Sequence, residues 1–373
     1  MKQLNCLPQN AVVWGHDVLT SAASVLEAHG IARAMTFTVE PLRKLHETQL
    51  APHVAQGVGC FTDLPPHVPD TSVRGALSAC MSAQADSIVA LGGGSVLDAA
   101  KAVSFLHHRE TGRYLPIAAF PTTLSGSEFS HYFGITETGG AQKFKRSYAV
   151  RETVPKVVFI DPLLVRDTPR ALLLSSAIKG IDHAVEGMRQ VGRDHPHAIL
   201  AASGVERFFG VLEKWPEEIS TAQALSEGLV SMDDLLQLQL GAWQCYFFPA
   251  SVIYGLSHRI GHILGGTFGL PHSMTSCITL APVIRACAGS YGDKLEIFSR
   301  GRGNAAAAGR QLADRIASTV AALGLPNRIS AFDFDKAQLG QVAELLRANY
   351  PAEVGDLGSD AGAFLDELLE SLW

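Results

Sequence analysis

The sequence predicts an α/β domain built on a parallel sheet over residues 1–161, followed by an all-helical domain over residues 162–373. Five short apolar runs alternate with helical stretches in the first segment. After Asp161 and Pro162 the chain becomes rich in Ala, Leu, Gln and Glu, and β-branched runs become scarce. A length of 373 residues also favours two domains over one.

Each of the five predicted strands is a run of apolar residues. They cover residues 11–15, 34–39, 87–91, 115–120 and 156–160. Between the first two strands, the apolar spacing predicts a helix over residues 19–29, which Gly30 ends. Strands separated by helices favour a Rossmann-like parallel sheet that carries helices on both faces.

The composition is that of an ordinary globular protein, with 47% hydrophobic and 18% charged residues. A net charge of −6 gives no electrostatic case for binding nucleic acid or an anionic membrane. The six cysteines include no CxxC pair, which indicates reduced thiols in a cytoplasmic protein. The N-terminus lacks the apolar run of a signal peptide. The sequence has no stretch of 18 consecutive apolar residues, so we expect no membrane span.

A glycine-rich turn follows the third predicted strand and opens a helix. Its residues Gly92, Gly93 and Gly94 let a ligand approach the backbone, and the amides of the following helix favour an anion. Ser95 adds a hydroxyl donor, and Asp98 follows one turn later. We expect this turn to bind the pyrophosphate of a dinucleotide. The alternative is a strand-to-helix turn that only needs flexible residues.

A second polar loop follows the fourth predicted strand. Its hydroxyl-bearing residues are Thr122, Thr123, Ser125 and Ser127. These side chains suit the carboxamide, ribose or phosphates of a dinucleotide, although they also suit a helix N-cap. Because both loops follow strands of one parallel sheet, we expect them to face the same crevice.

Lys179 and four histidines form the candidate catalytic group. Lys179 and His183 are four residues apart, as are His258 and His262, so each pair shares one face of a helix. His272 follows Pro271 at a predicted helix-to-loop junction. A single histidine is usually a packing residue, but three between residues 258 and 272 indicate a functional site.

The glycine turn, the second loop, the His183 segment and the three-histidine segment occur in an order that resembles the iron-containing (group III) alcohol dehydrogenases. Residues 121–128, 133–137, 159–162 and 183–187 are similar to the maleylacetate reductase branch. The resemblance implies a dehydroquinate-synthase-like architecture, with the site in the cleft between the two domains. It also implies NADH or NADPH as cofactor, a small-molecule substrate and a homodimer.

The resemblance breaks at one position. The metal-dependent relatives carry an aspartate where this chain has Lys179, and they bind the metal at the positions of Lys179, His183, His258 and His272. An ammonium is no metal ligand and repels a cation beside it. We therefore expect no catalytic metal; if one is bound, it is iron or zinc held by His183, His258 and His272.

The resemblance implies an NAD(P)H-dependent reductase of the maleylacetate reductase type. Hydride would reach the carbon β to a ketone, and Lys179, His258 and His272 are candidates to stabilise the enolate oxygen. His262 or His258 would deliver the proton. A dicarboxylate substrate also needs cationic anchors, for which the candidates are Arg189, Arg259, Lys143 and Arg146.

Other functions remain open at this point. One is a metal-dependent alcohol dehydrogenase or aldehyde reductase. Another is a lyase or cyclase of the dehydroquinate synthase type, which shows no net NADH consumption. A third is a reductase of a different carbonyl compound. The choice between NADH and NADPH is open too, because Val39 stands where the family often has the aspartate that binds the ribose 2′-hydroxyl.

Overall fold

The computed structural model describes residues 4–54, 56–139, 144–216, 218–299 and 305–373. The chain forms two compact units. The first comprises Met1–Thr168 and Phe248–Ala250, and the second comprises Pro169–Phe247 and Ser251–Trp373. The division thus follows Thr168, whereas the sequence pattern places the boundary after Asp161.

The first unit contains eight strands and four α-helices among its described residues. The strands are β1 (Ala11–Trp14), β2 (Ala34–Phe37), β3 (Gly59–Phe61), β4 (Ser87–Gly92), β5 (Ile117–Pro121), β6 (Tyr132–Glu137), β7 (Phe144–Ala149) and β8 (Val157–Ile160). The helices are α1 (Ala22–Ala28), α2 (Arg43–Leu45), α3 (Asp70–Ser82) and α4 (Gly94–Thr111).

Six of the described strands form one parallel sheet in the order β1-β8-β5-β4-β2-β3. The four inner strands β8, β5, β4 and β2 are buried at every residue. Since successive side chains of a strand point to opposite faces, both faces of the sheet are covered. The predicted parallel α/β sheet is therefore confirmed, and all five predicted strands lie in it.

The sequence pattern missed three strands. β3 is a short edge strand whose residues are exposed or half-buried, so it has no continuous apolar run. β6 and β7 form a separate antiparallel pair. The predicted helix over residues 19–29 is shorter than expected: α1 covers Ala22–Ala28 after a 3-10 turn, and Gly30 follows with φ +69°.

The register of β4 and β5 sets the position of the two polar loops. Leu91 pairs with Phe120, and Gly92 pairs with Pro121. The two strands therefore end side by side, and the glycine turn and the second loop leave the sheet at neighbouring points of one edge. The expectation that both loops face the same crevice stays a prediction.

The second unit is helical throughout its described residues, as the sequence predicts. Its helices are α5 (Arg170–Glu186), α6 (Pro196–Leu212), α7 (Thr221–Ser226), α8 (Met232–Cys245), α9 (Leu256–Gly266), α10 (His272–Ala286), α11 (Ala288–Tyr291), α12 (Ala305–Ala322), α13 (Leu339–Asn349), α14 (Pro351–Val354) and α15 (Ala361–Ser371). In the described ranges, none of the protein's helices is both long and apolar enough to cross a bilayer.

Helix α5 is the central helix of the second unit. From Leu173 to Glu186, the last residue of the helix, every residue except His183 is buried. It packs against α6, α8, α9 and α10. A helix buried on every side normally carries apolar residues all round, so the polar residues of α5 need partners inside the unit.

Candidate active site

The glycine turn forms an open cradle at the start of α4. Gly93 is the N-cap residue, and among the described residues no side chain caps this helix. A Cβ on Gly93 would lie 2.8 Å from Thr123 Cγ2, and a Cβ on Gly94 would lie 3.3 Å from Ser125 Oγ. Glycine is therefore needed where the second loop passes the turn, and the N-terminal end of α4, next to Gly93, favours an anion.

Two hydroxyls of the second loop lie against this cradle. Thr123 Oγ1 and Ser125 Oγ are buried atoms that have no hydrogen-bond partner among the described residues. Buried polar atoms normally have a partner, so these two are suited to a bound ligand. Together with the first turn of α4, they fit the phosphates of a dinucleotide.

The other predicted cofactor residues are placed differently. Ser95 is half-buried in the first turn of α4. The carbonyl of Thr122 accepts a hydrogen bond from Thr168 Oγ1 at 2.6 Å. Ser127 Oγ donates to Asp98 Oδ1 at 2.6 Å, so these two side chains bind each other. The nine predicted residues therefore lie in the first unit, but the side chains of Asp98 and Ser127 already have protein partners.

The four predicted histidines form one row of rings in the second unit. The ring of His183, on α5, lies 4.7 Å from that of His258, measured between centroids. His258 lies 4.4 Å from His262 on the same helix α9, and His262 lies 5.6 Å from His272, the first residue of α10. The row leads from buried His258 through half-buried His262 to exposed His272.

Lys179 lies at the buried end of this row. Its Nζ is 3.2 Å from Asp182 Oδ2 and 3.4 Å from His258 Nδ1. The whole residue is 4% exposed. A Cβ on Gly261 would lie 3.8 Å from Lys179 Nζ and 2.7 Å from Thr275 Oγ1, so this glycine lets α9 approach. The ammonium is thus held beside His258 by a buried carboxylate.

Asp182 and Glu186 flank His183 in the sequence but do different things. Asp182 Oδ1 accepts a hydrogen bond from Ser257 Oγ at 2.6 Å, while Oδ2 faces Lys179. Glu186 accepts from the Tyr291 hydroxyl and, at 3.2 Å, from the backbone N–H of His258. Asp182 therefore positions Lys179, and Glu186 fixes the start of α9.

Burial shifts the ionisation of this cluster. It raises the pKa of Glu186 to about 8, with a further contribution from Asp182. It also lowers the pKa of His183 and of His258 well below the usual value, assisted by their ionisable neighbours. Both rings are therefore neutral near pH 7. Lys179 is then the side chain suited to bring positive charge to the buried end of the row.

Among the described residues, one donor atom each from Asp182, His183 and His258 lie within 4.8 Å of one another. A bound iron or zinc ion would need each of these donor atoms at about 2.0–2.2 Å from the ion itself. Lys179 Nζ already contacts two of the three residues, so a divalent ion held there would lie beside an ammonium. The donor set does not fit such an ion beside the Lys179 ammonium. His272, which the sequence suggested as a ligand, is not in this group.

The predicted substrate anchors are engaged elsewhere. Arg189 forms an ion pair with Asp356, and Arg259 pairs with Glu353 at 3.0 Å. Arg146, in the first unit, pairs with Glu137 at 2.9 Å. Lys143 lies outside the described residues. The three described guanidinium groups thus hold carboxylates of the protein itself.

Sequence reasoning missed several residues of the site. The rings of Tyr246 and Tyr254 lie 4.3 and 4.5 Å from that of His183. Ser257 and Tyr291 bind the buried carboxylates, and Lys101 binds the second loop. Tyr254 precedes His258 by four residues, and this spacing could have indicated that the two side chains lie close together. The other contacts join distant segments, and no local spacing reveals them.

Comparison with known proteins gives a consistent result. The sequence model of the iron-containing alcohol dehydrogenases matches residues 8–162. The model of the C-terminal part of the Fe-containing alcohol dehydrogenase family matches residues 247–350. Maleylacetate reductase of Pseudomonas aeruginosa is 30% identical over 287 residues, which are 77% of this chain and 76% of that protein.

Solved structures show the same fold. An iron-containing alcohol dehydrogenase of Corynebacterium glutamicum is 25% identical, with a TM-score of 0.82, and the match covers 100% of this chain and 96% of the other. Sulfoacetaldehyde reductase of Bifidobacterium kashiwanohense, solved in complex with NAD+, is 19% identical, with a TM-score of 0.80 and coverage of 100% and 98%. The resemblance inferred from the motifs is confirmed: the chain belongs to the iron-containing alcohol dehydrogenase family and is an oxidoreductase, similar to maleylacetate reductase.

Proposed function

We propose that the protein is an NAD(P)H-dependent reductase of the maleylacetate reductase type that works without a resident catalytic metal. Its substrate is a conjugated oxo-acid or a related carbonyl compound. The position of Lys179 Nζ, 3.2 Å from Asp182 and 3.4 Å from His258, carries the proposal. The 30% identity to a maleylacetate reductase supports the reaction type.

The first unit supplies the cofactor site. The uncapped start of α4, next to Gly93 and Gly94, favours the phosphates. The hydroxyls of Thr123 and Ser125 add two donors that have no protein partner among the described residues. A bound dihydronicotinamide would supply the hydride. The sulfoacetaldehyde reductase that shares this fold was solved with NAD+, which supports a nicotinamide cofactor here.

The second unit supplies the groups that act on the substrate. Addition of hydride to the carbon β to a ketone places negative charge on the ketone oxygen as an enolate. Lys179 donates a hydrogen bond to that oxygen, which stabilises the developing charge as a preorganised donor does. Asp182 and Ser257 fix the ammonium, so that it needs little reorganisation during the reaction.

Reduction is complete when a proton reaches the carbon α to the ketone. The order of the rings supports His262 as the group that carries it, because its ring lies between those of buried His258 and exposed His272. His272 contacts solvent and can take up a proton for the next cycle. The products are the saturated oxo-acid and the oxidised nicotinamide, so one NAD(P)H is consumed for each substrate.

Lys179→Met tests the role of the ammonium, since methionine keeps an unbranched apolar stem. Loss of one such donor lowers turnover by about 100-fold or more in comparable sites. We expect that drop in kcat, with cofactor affinity unchanged. The matched control is Lys336→Met, because Lys336 forms an exposed ion pair with Glu370. Equal losses of kcat and cofactor affinity, or an unchanged kcat, would contradict the proposal.

Metal content tests the second part of the proposal. Protein purified without chelator is analysed for iron and zinc, and oxidation of NADH and of NADPH by maleylacetate is followed before and after EDTA. We expect little bound iron or zinc, and the same rate of NADH or NADPH oxidation before and after EDTA. Stoichiometric metal with EDTA-sensitive turnover would instead establish a metal-dependent dehydrogenase. Conversion of a substrate without net NAD(P)H oxidation would indicate lyase chemistry.

A further inference from the structure

Lys101 is a fully buried cation of the first unit to which the reaction assigns no role. It lies on α4, two turns after the glycine turn, and is 0% exposed. Burial lowers its pKa, and the nearby Asp98 carboxylate opposes this effect. Burying an ammonium costs free energy unless hydrogen bonds replace its hydration. The hydrogen-bond partners of Lys101 therefore indicate its structural role.

Outside α4, the hydrogen bonds that Lys101 Nζ makes with described residues reach the end of the second loop and the segment that follows it. The ammonium donates to the carbonyl and to the hydroxyl oxygen of Ser127, both at 2.8 Å. It also donates to the carbonyl of Ser130 at 3.1 Å and to that of Tyr132 at 2.7 Å. One side chain of α4 therefore gathers three residues located 26 to 31 positions further along the chain.

Asp98 holds the same segment from one turn earlier on α4. Its Oδ1 accepts the Ser127 hydroxyl at 2.6 Å and lies 3.4 Å from Lys101 Nζ. Its Oδ2 accepts the backbone N–H of Gly134 at 3.3 Å. The Ser127 hydroxyl thus donates to Asp98 and accepts from Lys101, which leaves Ser127 engaged on both sides.

The segment held in this way begins next to the cradle. Ser125 is two residues before Ser127, and Gly126 between them has φ +70°, which gives the loop a defined turn. Ser125 and Thr123 contact the positions of Gly94 and Gly93. Fixing Ser127 on α4 therefore also fixes the direction in which the two unpartnered hydroxyls face.

We propose that buried Lys101 and half-buried Asp98 form a clamp that positions the Thr123 and Ser125 hydroxyls for the phosphates of the nicotinamide dinucleotide. Both are positioning residues, since they act through Ser127 and do not touch the cofactor. The inference rests on the cofactor site of the proposed function. It gives Asp98 and Ser127 a different role from direct cofactor binding, because their polar atoms bind each other and Lys101.

The clamp predicts a loss that is specific to phosphate recognition. Binding of ADP, which carries the pyrophosphate, and of adenosine, which carries none, is measured by calorimetry on the full chain. Ser127→Ala and Asp98→Asn should weaken ADP binding about tenfold relative to wild type and leave adenosine binding unchanged. The KM for NADH or NADPH should rise by a similar factor, with kcat at saturating cofactor nearly unchanged.

Ser104→Ala is the matched control. Ser104 is a buried serine of α4, and its hydroxyl donates to the carbonyl of Leu115 at 2.8 Å, away from the second loop. It should lose comparable stability and keep ADP binding. Lys101→Met is a stronger test; if it does not fold, the two milder variants decide.

Three results would overturn the clamp. They are unchanged ADP binding in both clamp variants, an equal loss in Ser104→Ala, and an equal loss of adenosine binding. These leave the cofactor site itself intact, because wild-type protein still binds ADP and the reduced cofactor. If wild-type protein binds neither ADP, NADH nor NADPH, the cofactor site of the proposed function fails, and the clamp fails with it.

Discussion

Replacing Glu128 with glutamine should make the stability of the protein less dependent on pH. Glu128 follows the second loop and is 2% exposed. Its Oε2 has no hydrogen-bond partner among the described residues. Burial raises the pKa of this carboxyl from 4.5 to about 7, although Lys101 opposes the shift. The folded protein therefore binds a proton more tightly at this site than the unfolded chain does.

The sign follows from that difference. A raised carboxyl pKa gives a stabilising contribution that is complete below pH 4.5 and is lost as the pH rises through about 7. Since one pH unit corresponds to about 1.4 kcal/mol, the whole effect is about 3 kcal/mol. Most of it, about 2.5 kcal/mol, falls between about pH 5 and pH 8. Glutamine keeps the shape of the side chain but does not titrate.

Urea unfolding followed by circular dichroism at pH 5 and at pH 8 measures the effect. Wild-type protein should lose about 2.5 kcal/mol more unfolding free energy between these two conditions than Glu128→Gln does. Glu152→Gln, at an exposed position of the same unit, should follow wild type. Parallel pH dependence in wild type and Glu128→Gln would refute the reasoning, since it would mean that the carboxyl titrates alike in both states.

Three further predictions concern the two sites. Gly93→Ala places a Cβ 2.8 Å from Thr123 Cγ2, so cofactor binding should weaken about tenfold or more in a calorimetric titration, whereas Gly139→Ala, with open space around it, should not alter it. Asp182→Asn removes the counter-charge of buried Lys179 and should cost about 3 kcal/mol in urea unfolding. Adding Lys179→Met should recover part of that loss, and strictly additive effects would show that the pair is not coupled. Lys179→Asp restores the carboxylate of the metal-dependent relatives and should bind zinc stoichiometrically by elemental analysis; a metal-free variant would count against the assignment of this position.

The inner strands were predictable because a parallel sheet that is covered on both faces has strands with continuous apolar runs. Residues 87–91 and 115–120 are apolar runs, and they became β4 and β5, buried on both faces. β3 gave no such signal, since an edge strand of three residues has little to bury. The β6–β7 pair was missed because its stability depends on cross-strand pairing such as Tyr132 with Ala149, which no local pattern encodes.

The sequence by itself indicated the lysine and the four histidines of the candidate site. Spacing of four residues put Lys179 with His183, and His258 with His262, on shared helix faces. The lysine at the position of a metal ligand is likewise a fact of the sequence. These conclusions need only helix geometry and the charge of each side chain.

Only the tertiary structure decided which of these groups meet. It brought α9 against α5, so that His258 lies beside Lys179 and His183, and it turned Asp182 toward the ammonium. It also revealed that Lys101 reaches residues about 30 positions away. A long side chain can take many partners, and burial selects among them by the cost of leaving a charge without hydrogen bonds. That selection depends on segments that only folding brings together.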